Sequence, residues 1–168
     1  MTKDILEGAR GGQNFLEKLM NALPGFSGYR EKELRRDADR ILREHLARRL
    51  DLAKKALDEA SVKLTRSGGL GGMNDIETAR KRIDRVASRI RTADRGYAPL
   101  FGVVKVDDAV LGRVYAFDVA LMDGVDAVTA ALGRVAAEGA AGVTAAIAEM
   151  DALDARVTDR ETLLRGVQ

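Results

Sequence analysis

The stretch AAEGAAGV, residues 136–143, decides the shape of this chain. Without an interruption, one helix runs from Asp108 to about Arg165, roughly 87 Å at ~1.5 Å per residue. Gly139 and Gly142 offer the alternative. Glycine adopts positive φ without a Cβ clash, so it can end one helix and let another begin. A break gives a last helix of about 25 residues and keeps every helix within the length of the longest. Val143, Ile147, Met150, Leu153 and Val157 then form its inner face. A break is the expectation.

Immediately upstream, Asp107 or Asp108 caps a helix with Val110, Val114, Phe117, Leu121, Val125, Val128, Leu132 and Val135 along one side. Spacings of three and four place these residues on a single helical face. Small residues recur beside them, including Gly112, Ala116, Gly124, Ala127 and Gly133. Small side chains let helix backbones approach closely, in membranes as elsewhere. Asp118, Asp123 and Asp126 interrupt this run, which favours a close-packed bundle in water.

Further back, YAPLFGVVKV (97–106) has a proline, β-branched residues and no helical period, and reads as an extended connection. Ten extended residues reach up to ~33 Å, enough to return to the start of a long preceding helix. The segment from Asn74 to Gly96 keeps 3-4 spacing at Ile76, Ala79, Ile83, Val86, Ile90 and Ala93. Asn74 and Glu77 match a capping box, and Gly96 suits the position after a last turn. SGGLGGMN (67–74) is a turn. The longest helix spans Tyr29 to about Arg66, roughly 55 Å. Its apolar residues are Leu34, Ala38, Ile41, Leu42, Leu46, Leu50, Ala53, Leu57, Ala60 and Leu64, with a stutter-like four-four step from Leu42 to Leu50. Pro24 with Gly25 and Gly28 makes a corner before it. Residues 4–22 form an amphipathic leader, with Ile5, Ala9, Leu16 and Leu19 on one face.

The chain of 168 residues is 46% hydrophobic but only 4% aromatic, so its core is aliphatic. The absence of cysteine removes disulfides, thiolate metal sites and cysteine nucleophiles. No signal-type or membrane-spanning apolar run is present, which points to a cytoplasmic protein. Residues 1–106 hold 23 Lys+Arg and 15 Asp+Glu, and residues 107–168 hold 5 and 11. The simplest cause is two halves that pack together and neutralise each other; a basic surface for membrane or nucleic acid is the alternative.

Few residues suggest catalysis. His45 is the sole histidine. Glu44 beside it points elsewhere on the helix, so no Glu-x-x-His metal motif forms. Asp37/Asp39 and Asp58/Glu59 diverge around their helix, whereas Asp151/Asp154 have the i, i+3 spacing that can share an ion. SGGLGGMND lacks the Gly-Lys-Ser/Thr ending of a phosphate loop. Residues 30–66 carry twelve basic and eight acidic residues, a pattern of surface ion pairing rather than a nucleic-acid stripe. No cofactor and no metal are expected. Phe26, Tyr29, Tyr97, Phe101 and Tyr115 are the candidate interaction patch, at one end of the bundle.

The tracts LPGFSGYREKELRRDADRILREHLA, VKVDDAVLGRVYAFDVAL and DRETLLRG resemble bacterial helical proteins that carry no assigned activity, and that resemblance implies no catalytic residues. In outline the chain is also similar to phage-shock or ESCRT-III-type membrane-remodelling proteins, which place an amphipathic helix before a long hairpin. Residues 3–22, however, carry three positive and three negative charges, not the Lys/Arg excess of an interfacial helix. The expected fold is all-α: a single domain over residues 1–168, with 1–28 as leader and corner. Residues 29–168 form an elongated antiparallel, coiled-coil-like bundle of four main helices. The expected function is non-catalytic interaction or assembly, with a protein partner or as a homo-oligomer. Peripheral membrane association through the leader is the alternative, and a carboxylate-metal hydrolase the second. Nucleic acid is not expected as a partner.

Overall fold

The computed structural model describes residues 31–66, 72–93 and 108–165. The leader, the Pro24 corner, the 67–71 turn and the 97–106 connection lie outside these residues. Among the described residues there are five helices and no strand: α1 Glu31–Ala53, α2 Lys55–Arg66, α3 Met73–Thr92, α4 Asp108–Glu138 and α5 Ala140–Arg165.

The fold is all-α, with α1 and α2 acting as one rod. Both halves of that rod pack on the same two neighbours, α3 and α4. The expected unbroken helix is interrupted at Lys54, one turn past the Leu42–Leu50 step. There the Lys54 carbonyl accepts from the amides of both Leu57 (2.9 Å) and Asp58 (3.3 Å), which tightens one turn without ending the rod.

Side-chain pairs give the topology. Lys54 meets Asp84 and Asp51 meets Arg91, so α3 runs antiparallel to the first rod. Arg160 meets Asp118 and Arg156 meets the Ala120 carbonyl, so α5 runs antiparallel to α4. Across these two hairpins the neighbours are parallel. Arg49 reaches Asp126, 77 residues on, and Arg85 reaches Asp154, 69 residues on. The first rod and α5 stand at opposite corners, as do α3 and α4. The bundle is therefore two antiparallel hairpins laid side by side. The same offset of 77 sets Asp108 level with Glu31.

Gly139 makes the break between α4 and α5. It has φ +60°, donates to the Val135 carbonyl (2.9 Å) and accepts from the Val143 amide (3.1 Å). One left-handed residue thus closes one helix and opens the next. The expected capping box is not made. α3 begins two residues early, at Met73 with Gly72 as its cap, so Asn74 already lies inside the helix. Glu77 pairs instead with Arg80. α3 also stops before Gly96, at Thr92, where Ala93 turns to extended backbone.

The core is aliphatic as composition requires. Leu42, Leu46, Leu50 and Leu57 face Ile76, Ile83, Val86 and Ile90 of α3, Leu121, Val125, Val128 and Leu132 of α4, and Met150, Leu153 and Val157 of α5. Burial of this apolar surface is the main support of the fold. Two expected inward positions are shifted by one residue. Ile147 is only partly buried while Ala146 is fully buried, and Phe117 is half-buried while Asp118 is sealed.

Candidate functional site

Many charged residues of the bundle are held between its helices. α3 bears five arginines between Arg80 and Arg91, and α5 faces it with acids at helical spacing. Arg82 pairs with Asp151, Arg85 with Asp154 (2.8 Å), and Arg89 with both Asp154 and Glu161 while also donating to Thr158. Arg49 adds a bridge to Asp126 at 2.6 Å. These bridges tie the basic first half of the chain to its acidic second half. Asp151 and Asp154, the carboxylate pair with ion-sharing spacing, each accept from arginine. Among the described residues no group of three acidic or histidine side chains is placed to hold a metal ion.

On the other flank, Asp58 accepts from Arg80 (2.7 Å), and Asp84 accepts from Lys54 (2.6 Å). The hydrogen bond to Asp84 holds the Lys54 ammonium above its usual range. His45 is half-buried on α1. Burial, followed by the positive charges of Arg49 and Arg48, lowers its pKa below the ordinary histidine value.

Sequence reasoning missed a buried polar layer at the end of the bundle where α1 and α4 begin. Arg160 donates to Asp118 at 2.9 Å, and both side chains are 1% exposed. At the same level the buried Arg43 donates to the Arg91 carbonyl (3.0 Å), satisfying an end group of α3 that has no partner within its own helix. The signal was present in the period. Asp118 continues the buried register Leu121, Val125, Val128, and Arg160 continues Met150, Leu153, Val157. A charge at a core position of each partner helix is the pattern to look for.

Of the proposed aromatic patch, Phe26, Tyr29, Tyr97 and Phe101 lie outside the described residues. Tyr115 falls within α4, and its side chain is likewise outside them. At the opposite end, an apolar cavity of ≈ 370 Å³ lies between Ala60, Leu64, Ile76, Val135 and Val143. Lys63 closes its edge by donating to the Ala136 carbonyl at 2.7 Å. This cavity has an apolar lining and holds no titratable pair suited to acid–base work.

Two outer surfaces remain. The first rod exposes Leu52 (57%) and Val62 (50%), the large hydrophobic residues most open to solvent among those described. α5 exposes Ala141, Thr144, Ala148, Ala152 and Ala155, a flat and uncharged ridge.

No family model, curated protein or solved structure matches the chain. That outcome accords with a helical family that carries no assigned activity, and it names no source organism. Among the described residues no helix is long and apolar enough to cross a membrane.

Proposed function

We propose that this is a non-catalytic interaction or assembly protein, acting through its helix faces on a protein partner or on further copies of itself. One observation carries the reading. The carboxylates that would serve chemistry are tied up across the bundle: Asp51, Asp58, Asp126, Asp151 and Asp154 each accept from an Arg of another helix, and Asp84 from Lys54 at the break in the first rod. Among its exposed charged residues the bundle also leaves open Leu52 and Val62 on one rod and a row of small residues on α5. A single exposed apolar residue is ordinary, but a rod that repeats them on one ridge is suited to contact.

Such a protein works in the cytoplasm, free or at the inner face of a membrane where residues 4–22 engage it. Sedimentation velocity on the full chain over a wide concentration range tests the reading. Reversible self-association, or capture of a defined protein partner, is the expected result. A strict monomer that captures nothing overturns it. Binding to anionic vesicles that is lost on deleting residues 4–22 moves the assignment to the membrane surface.

A further inference from the structure

We propose that the outer ridge of the first rod is a self-complementary seam that joins two copies of this chain antiparallel about a two-fold axis. The inference rests on the assembly reading above and names the surface that performs it.

The ridge is Arg48, Leu52, Lys55, Glu59, Val62 and Arg66, all exposed, at spacings of four, three, four, three and four. Such spacing keeps the six side chains in one line along the rod. Their positions are symmetric about the level of residue 57, with apolar residues at 52 and 62 and opposite charges at 55 and 59. When two such rods lie antiparallel with that level shared, Leu52 of one copy falls opposite Val62 of the other. Lys55 likewise falls opposite Glu59. The two-fold axis repeats both pairs, as an isologous contact requires. Apolar pairs lie about 15 Å apart along the rod, ten residues at ~1.5 Å each. Between them sit two crossed ion pairs.

The surface relief agrees. Beside Val62 lies an open groove of ≈ 390 Å³ bordered by Asp58, Glu59, Lys63 and Arg66. It receives the protruding Leu52 of the second copy. Asp58 is already engaged by Arg80 within its own chain. Lys55 and Glu59 make no ion pair among the described residues, which leaves both charges available across the seam. At the two ends Arg48 meets Arg66, a like-charge rim contact exposed to solvent and screened by salt. The seam is small beside a standard interface, so the dimer is reversible and dependent on concentration.

Charge reversal tests this on the full chain. Lys55→Glu alone, and Glu59→Lys alone, each set four like charges at the seam. Each is expected to weaken self-association, read by sedimentation equilibrium, by about tenfold or more. An equimolar mixture of the two variants restores association, because one supplies the acids and the other the bases. Repair within a single helix cannot produce that rescue. Leu52→Glu abolishes dimers of the parent chain and, placed in both variants, of the mixture. Circular dichroism and urea midpoints close to the parent's keep the comparison free of folding defects. If the parent chain associates and these variants leave it unchanged, the seam is wrong while the assembly reading stands. If the parent is monomeric at every concentration, the seam falls, and self-assembly falls with it.

Discussion

Asp118 and Arg160 lie within a layer of hydrophobic side chains, both sealed from water. A buried pair of this kind adds little over a well-packed apolar pair, yet removing one partner leaves the other charge stranded in a medium that cannot solvate it. Asp118→Ala or Arg160→Met alone should therefore cost about 3–5 kcal/mol. The double variant Asp118→Leu/Arg160→Met should cost far less than the sum, as urea denaturation would show. His45 bears on pH. Its folded pKa lies below the unfolded value of 6.5, so the folded protein binds its proton less readily than the unfolded chain. Its contribution to stability is complete above the unfolded value and is lost as pH falls through the depressed folded value. His45→Gln should flatten the fall in urea midpoint between about pH 7 and about pH 5.

At the scale of the element, the α4–α5 hairpin uses its glycines for three different ends. Gly139 supplies the left-handed turn, and Gly139→Ala should destabilise by about 1–2 kcal/mol. Gly124 lets the helices close on each other: a Cβ there would stand 2.8 Å from Leu153 Cδ1 and 2.7 Å from Arg156 Nη1. Gly124→Ala forces both to shift and should cost about 1–3 kcal/mol. Gly133 has open space where a Cβ would go. Gly133→Ala should stabilise by about 0.5–1 kcal/mol, because it removes unfolded-state freedom and harms no contact. Thermal melts should place Gly133→Ala above the parent and the other two variants below it. In the sequence Gly124 and Gly133 look alike, and only the neighbouring helix separates them.

For the molecule as a whole, the uneven charge of the two halves resolves into bridges between them. Arg49–Asp126, Arg82–Asp151, Arg85–Asp154 and Arg89 with Asp154 and Glu161 all cross from the first half to the second. Net charge is only +2, so screening of overall self-repulsion offers little compensation when salt is added. Raising sodium chloride from about 0.01 M to about 0.5 M should lower the melting temperature by a few degrees. An unchanged or higher value would show that the bridges do not contribute.

Helix type, core composition and most core positions were determined by the sequence alone, because they depend on local periodicity. Of the six residues legible as one buried face, Ile76, Ala79, Ile83, Val86 and Ile90 are buried, while Ala93, just past the end of the helix, is half-buried. The two glycines of residues 136–143 favoured a break but left one continuous helix open; the structure places the break at Gly139, with φ +60°. The tertiary structure decided the rest: which hairpin lies beside which, that neighbours across hairpins run parallel, and that Asp118 finds Arg160. A period records which side of a helix avoids water, not which helix covers it. Contacts between residues 42, 69 or 77 positions apart form only when whole rods choose their neighbours.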